Sequence, residues 1–454
     1  MDRRSFIKNA FAVTAAGQAL CPPASAGPTS RSKNASSKTN FIVILADDLG
    51  YGELGCYGNT FNETPHLDSL SEKGVRFTDS YSSAPVCSPT RAALFTGQWP
   101  HQSGITDYLR PWTEKHVPLE KTLLPEAMKD AGYRTGLIGK WHLTGYGEEE
   151  GFPRHHGYDE IMVCEKKGIG NGDYFYPYRF NRDIEKRLPG KEHLVDRMNL
   201  EAVDFIERNR ERPFFLMVSH YAVHTILHGR KDLVRKYKRK DGAGLTRFSG
   251  KNNPHLAAQL ESIDQGVGMI MDSLADLGIL DNTVVLFMSD NGGEESVANN
   301  GGLRAGKSHL YEGGIRVPMI LGAGNNYRGT CETPASTIDI YPTILEMAGI
   351  DRDLPLEGSS LVPYLDGRGP VERTLYWHYP LKRPHFLGGR SSGAIRDGKW
   401  KLIEFYDPGK IELYDLESDP GETTDLSGVK PNLASSLHDQ LGKWRRETGA
   451  VIPE

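Results

Sequence analysis

Four short apolar runs in the chain end in polar chemistry. Residues 41–46 lead straight into Asp47-Asp48, residues 135–138 into Lys140 and His142, residues 214–218 into His220 and His224, and residues 284–288 into Asp290-Asn291. Short apolar runs without polar alternation predict strands buried on both faces, the pattern of a parallel sheet. Between them the period lengthens to that of helices. Residues 122–131 predict one helix, stopped by Gly132. Residues 254–277 predict a long one, with Leu256, Leu260, Ile263, Val267, Ile270, Met271 and Leu274 on one stripe and Gly278 as its stop. Strands alternating with helices predict an α/β fold, and ligands of such sheets bind beyond the carboxyl ends of the strands. All four polar endings therefore belong to one rim.

After about residue 370 the texture changes. Residues 394–405 read as strand, turn and strand around Asp397-Gly398, and residues 410–416 as a further alternating strand. Residues 432–446 form an amphipathic helix with Leu433, Leu437, Leu441 and Trp444 on one face. The expected organisation is a catalytic domain over residues 40–370 and a subdomain over 371–454, a small antiparallel sheet closed by a helix. No internal repeat is visible.

The first residues read as an address. Arg3-Arg4-Ser5-Phe6-Ile7-Lys8 precedes a short apolar stretch and the small-residue site Ala24-Ser25-Ala26, the pattern of a cleaved export signal of the twin-arginine type over residues 1–26. Residues 27–39, rich in Ser, Lys and Asn, read as a flexible leader. The expected location is exported, periplasmic or secreted. With 54 Lys+Arg against 59 Asp+Glu the net charge is −5, and near −7 without the signal, which argues against a dedicated nucleic-acid binder. Nothing reads as a membrane span of about 20 apolar residues. Five Cys in a chain of this length make no disulfide scaffold.

One cysteine stands in a chemically pointed context. In Cys87-Ser88-Pro89-Thr90-Arg91, Ser88 can cap a helix with Pro89 at its first position, which puts Cys87 at a helix N-terminus where N–H groups favour an anion. Arg91 then lies about one turn on. A cysteine phosphatase needs a longer loop between its Cys and Arg.

This segment matches the C-x-P-x-R pattern of the type I sulfatases of the alkaline phosphatase superfamily, and the chain resembles that family over most of residues 40–425. The resemblance includes Asp47-Asp48-Leu49-Gly50, Gly139-Lys140-Trp141-His142, Ser289-Asp290-Asn291-Gly292, and Gly306-Lys307 before Tyr311-Glu312-Gly313-Gly314. It also includes Gly398-Lys399-Trp400-Lys401-Leu402 and Glu412-Leu413-Tyr414-Asp415-Leu416. It implies an alkaline-phosphatase-like fold: a large mixed, mostly parallel sheet flanked by helices, with a smaller C-terminal antiparallel sheet plus helix. It also implies sulfate ester hydrolysis.

Residue by residue, the resemblance implies that Cys87 is oxidised to formylglycine by a maturation enzyme and hydrated to a diol. Asp47, Asp48, Asp290 and Asn291 join position 87 around a divalent cation. Hard oxygen donors favour Ca²⁺, and Mg²⁺ fits the same set. Arg91, Lys140 and Lys307 supply positive charge. One hydroxyl attacks sulfur, and His224, helped by Lys307, protonates the leaving alcohol. His142 then deprotonates the second hydroxyl so that sulfate leaves. The sequence Val223-His224-Thr225-Ile226 departs from the family, which usually has Pro where Ile226 stands. His220 and His309 are candidate substrate contacts.

The expected substrate is a sulfated oligo- or polysaccharide, with galactose- or N-acetylgalactosamine-type sulfates first. The aromatic stretch over residues 173–180 can serve as a sugar platform or as packing. Lys382, Arg383, His385 and Arg390 can form a basic rim or a solvated loop. Two other functions remain open: a phosphate or phosphonate ester hydrolase on the same fold, and a non-catalytic protein that binds sulfated glycans.

Overall fold

The structure, a computed structural model, describes residues 38–453 apart from 146–148, 167–171, 325 and 369–372. The export signal, most of the expected leader and the expected boundary at 370/371 lie outside the described residues.

In chain order the strands are β1 (Asn40–Ala46), β2 (Val75–Phe77), β3 (Ser80–Tyr81), β4 (Arg134–Gly139), β5 (Glu160–Met162), β6 (Phe214–Ser219), β7 (Thr283–Ser289), β8 (Met319–Gly322), β9 (Gly329–Cys331) and β10 (Ala335–Ser336). The C-terminal part adds β11 (Thr374–Tyr379), β12 (Ser392–Asp397), β13 (Trp400–Phe405) and β14 (Lys410–Asp415). The large sheet runs β5-β4-β6-β1-β7-β8-β2-β9. Its pairs are parallel except at β8, which runs antiparallel to both β7 and β2.

The central strands are buried throughout because each face meets its own layer of helices. From β1, Phe41, Val43 and Leu45 join one core with helices Leu124–Asp130 and Ile340–Ala348. Ile42, Ile44 and Ala46 join the other, with helices Leu194–Asn209 and Pro254–Asp276. Register then levels the strand ends. Leu45 pairs with Ser219 and with Met288, Ala46 with Ser289, and Gly139 with Ser219. The next residues, Asp47, His220, Asp290 and Lys140, therefore leave the sheet together. The predicted long helix is present as Pro254–Asp276, and the one expected over 122–131 spans Leu124–Asp130.

The C-terminal strands form an antiparallel sheet in the order β11-β12-β13-β14. Ile395, Leu402 and Leu413 on one face pack against Leu437, Leu441 and Trp444 of helix Pro431–Thr448. Trp377, Ala394, Ile403 and Tyr414 on the other pack against Tyr81, Leu310 and Ile315 of the main domain.

A buried charge group rivets this junction. Lys401 of β13 bonds Glu312 at 2.8 Å and Glu422 at 2.9 Å, with all three side chains excluded from solvent. Glu312 also accepts from the Tyr81 hydroxyl at 2.7 Å. Removing the cation strips Glu422 of its ion partner and leaves Glu312 with Arg316 at 3.5 Å, so Lys401→Met is expected to cost about 3–5 kcal/mol of unfolding free energy. Urea titration of the variant checks this; a loss below about 1 kcal/mol would mean that the group is solvated.

Candidate active site

Helix Cys87–Thr96 begins two residues earlier than a Ser88 cap would place it, with Val86 at the capping position. The Ser88 side chain instead serves a neighbouring loop, its Oγ accepting the Leu109 N–H at 3.0 Å. The Leu109 carbonyl faces His142 Nε2 at 2.9 Å, and His142 Nδ1 lies 3.2 Å from Cys87 Sγ. A carbonyl only accepts, so Nε2 carries the proton and Nδ1 presents a lone pair to the thiol. Burial, reinforced by Lys140, holds the His142 imidazole well below its ordinary pKa. Burial also pushes the Cys87 thiol up, against the pull of Lys140 and Lys307. Position 87 is thus a protonated thiol at neutral pH, a weak nucleophile.

Around it, three carboxylates meet three cations, each chiefly with its own partner. Asp47 Oδ2 accepts from Lys140 Nζ at 2.6 Å, Asp48 Oδ2 from Lys307 Nζ at 2.7 Å, and Asp290 Oδ2 from Arg91 Nη2 at 2.6 Å and Nε at 3.0 Å. Arg91 also donates to Ser219 Oγ at 2.6 Å and to the Lys140 carbonyl at 3.2 Å. Burial alone would raise the Asp47 and Asp48 carboxyls, but Lys140 and Lys307 hold them below their ordinary values. Asp290 goes the other way, raised by burial and by neighbouring Asp47.

Part of this oxygen set has no donor. Asp47 Oδ1 and Asn291 Oδ1 are buried and meet no hydrogen-bond partner among the described residues. Donor atoms of Asp47, Cys87 and Asp290 lie within 4.8 Å of one another. Asn291 Nδ2 donates to Asp48 Oδ1 at 2.8 Å, which ties the fourth and fifth candidate ligands together. Orphaned carboxylate and amide oxygens converging in a dry site fit a hard divalent cation.

The remaining candidates separate. His224 reaches the cluster, with Nε2 3.7 Å from Asp48 Oδ2, and its Nδ1 faces the Thr225 carbonyl. His309 lies beside Lys307 and lines an approximately 310 Å³ pocket with Lys307, Glu294, Glu295, Ser296 and Leu387. His220 continues the strand, donating its N–H to Leu45 O at 2.8 Å. Burial pushes its imidazole down to about 3, and among the described residues no hydrogen bond joins it to the carboxylates and cations. In the stretch over 173–180, Tyr174, Tyr178 and Phe180 are buried and Tyr176 is exposed, so three of its five aromatic rings pack inside the domain. Tyr174 donates to the carbonyls of Tyr221 and His224 and so fixes the backbone that carries His224.

Sequence reasoning missed Glu165. Its buried carboxylate accepts the N–H groups of Trp141 and His142, the latter at 2.7 Å, and the Tyr221 hydroxyl at 2.8 Å. His142 adopts a positive φ of 57°, which side chains rarely take, and this carboxylate holds the turn there. No local motif marks Glu165, because it reaches the turn through the short edge strand β5.

A mixed sheet that gathers buried carboxylates, cations and a helix-terminal cysteine at its carboxyl rim suits chemistry on an anionic ester. The family profile described as Sulfatase matches residues 39–350, and one described as N-sulphoglucosamine sulphohydrolase, C-terminal, matches residues 305–447. The chain belongs to the sulfatase family and hydrolyses sulfate esters. It is 32% identical to arylsulfatase A of Homo sapiens, over 91% of this chain and 89% of that protein. It is 28% identical to steryl-sulfatase of Homo sapiens, over 87% and 85% respectively. The crystal structure of Ps i-CgsB in complex with k-i-k-neocarrahexaose superposes with a TM-score of 0.79 at 29% identity, covering 90% of this chain and 93% of that one.

Glu165→Ala is expected to lower unfolding free energy by about 1–3 kcal/mol, since two buried N–H groups lose their acceptor. Turnover should fall through kcat with KM little changed, because His142 moves and the substrate contacts do not. An unchanged kcat would show that the turn holds itself.

Proposed function

We propose that this sulfatase acts on sulfated carbohydrates, with galactose- or N-acetylgalactosamine-type sulfates first, after export through a twin-arginine signal. The observation that carries the reading is Cys87 at a helix N-terminus, its donor atom within 4.8 Å of those of Asp47 and Asp290, inside a ring of buried cations. A protonated thiol there is a poor nucleophile, which favours Cys87 as the precursor of formylglycine. The hydrated aldehyde supplies the hydroxyl that attacks sulfur. Because Cys87 is only 2% exposed, its oxidation has to precede folding, which suits a maturation enzyme acting before export.

Asp47, Asp48, Asp290, Asn291 and an oxygen at position 87 form an all-oxygen set for Ca²⁺, with Mg²⁺ second. The cation supplies Lewis acidity toward that hydroxyl and the sulfate oxygens. Arg91, Lys140 and Lys307 place fixed positive charge where the transferring SO₃ group spreads its own. The three cations balance the three carboxylates, so a bound divalent ion leaves the site net positive toward an anionic ester. His142 takes a proton at Nδ1 from residue 87. His224, protonated beside a sulfate anion, gives the proton on Nε2 to the leaving oxygen, with Lys307 adjacent. The carbohydrate reading draws support from the pocket beside Lys307, which charged and hydroxyl side chains help to line, and from the oligosaccharide complex of the similar Ps i-CgsB.

Protein from a host that matures it should show an aldehyde in place of the residue 87 thiol by peptide mass spectrometry. It should turn over sulfated oligosaccharides in preference to matched phosphate esters. Equal or reversed preference moves the reading to a phosphate or phosphonate hydrolase. Residual turnover in Cys87→Ala removes the proposed nucleophile, and an inactive protein with plain Cys87 leaves a binding role or an unmatured precursor.

Chelation should lower the midpoint of thermal unfolding, and added Ca²⁺ should restore it. The Asp47→Asn, Asp290→Asn double variant should respond to neither. A wild-type midpoint indifferent to both treatments would exclude a resident cation at these residues.

A further inference from the structure

We propose that His385, on the loop between β11 and β12, is a specificity-determining substrate contact whose Nε2–H donates to a hydroxyl or ring oxygen of the sugar bearing the sulfate. This rests on the carbohydrate reading above.

The tautomer follows from the loop itself. The His385 N–H donates to Gly389 O at 2.7 Å, and the Leu387 N–H donates to His385 Nδ1 at 3.1 Å. A backbone N–H cannot accept, so Nδ1 carries the lone pair and the neutral ring keeps its proton on Nε2. Burial, with Lys307, Arg110 and His309 acting in the same direction and Asp48 opposing, pushes the imidazole down to about 4. The ring is therefore neutral at working pH.

That Nε2–H is buried in a residue only 7% exposed and meets no hydrogen-bond partner among the described residues. An unpaired buried donor is destabilising, and a substrate oxygen placed against it removes the penalty on binding.

The placement is fixed from both domains. The ring lies edge-on to Tyr108, centroids 5.4 Å apart, and the Arg110 guanidinium covers the Tyr108 ring at 4.1 Å. Leu109, between them, is the residue whose carbonyl orients His142. On the other side the loop abuts the segment after Lys307: a Cβ on Gly389 would stand 1.8 Å from Ser308 O, and one on Gly388 3.4 Å from His309 Nε2. Leu387 lines the same pocket as Lys307 and His309. Phe386, its ring 4.4 Å from that of His385 and 77% exposed, offers an apolar face of the kind that sugars stack on.

The test compares kcat/KM on a sulfated disaccharide with kcat/KM on a small aryl sulfate, for wild type, His385→Ala and His385→Phe. The Phe variant keeps a ring against Tyr108 but loses both the Nε2–H and the Nδ1 acceptor of the Leu387 N–H. A change shared by the Ala and Phe variants is therefore read on the sugar-to-aryl ratio, since a merely loosened loop lowers turnover of neither substrate selectively. Thermal unfolding midpoints verify that each variant is folded. The expected result is a fall of about tenfold or more in the sugar-to-aryl ratio in both variants, the scale of one lost hydrogen bond to a buried group. An unchanged ratio, or equal losses on both substrates, makes His385 a packing residue and overturns the proposal while the carbohydrate reading stands. A wild type that hydrolyses the aryl sulfate but no member of a sulfated-sugar panel overturns both.

Discussion

Charges cannot be taken out of water singly, and this site holds six of them in a dry rim. Asp47, Asp48 and Asp290 are tolerable there because Lys140, Lys307 and Arg91 stand against them, chiefly one to one. The pairing dictates much else. The two lysines must come from loops that leave the sheet at the same level as the carboxylates, Arg91 must point back from a helix, and Ser219 must be a hydroxyl because Arg91 has a further N–H to satisfy. The same logic leaves two oxygens over, Asp47 Oδ1 and Asn291 Oδ1, and those spare acceptors are what the proposed cation would meet.

Neighbouring elements serve to keep this balance in place. A closed circuit runs from Ser88 through Leu109 and His142 back to Cys87, so the residue next to Cys87 fixes the imidazole that faces it. The C-terminal sheet contributes from further out. Lys401 clamps Glu312, which stands five residues beyond Lys307, and so joins the antiparallel sheet to the segment that supplies one of the three cations.

The strand ends were legible in the sequence because burial on both faces forces uninterrupted apolar runs, and because polar residues directly after such runs have few other places to go. The antiparallel β8 was not legible: a strand of four residues has no signal of direction. The Ser88 cap was read from a local preference that lost to a tertiary demand, the Leu109 N–H. Glu165 was invisible since its three donors come from two other strand ends. The aromatic stretch over 173–180 offered two readings at equal strength, and burial of Tyr174, Tyr178 and Phe180 decided for packing.

The register of β1 against β7 has a thermodynamic consequence. Asp47 and Asp290 are distant in the chain and become neighbours only when the two central strands are paired in full. No hairpin or fraying segment retains half of the proposed cation site. A ligand held there is linked to the global unfolding equilibrium and not to local openings. Its occupancy should therefore protect the slowest-exchanging amides of the sheet and leave the surface loops as labile as before.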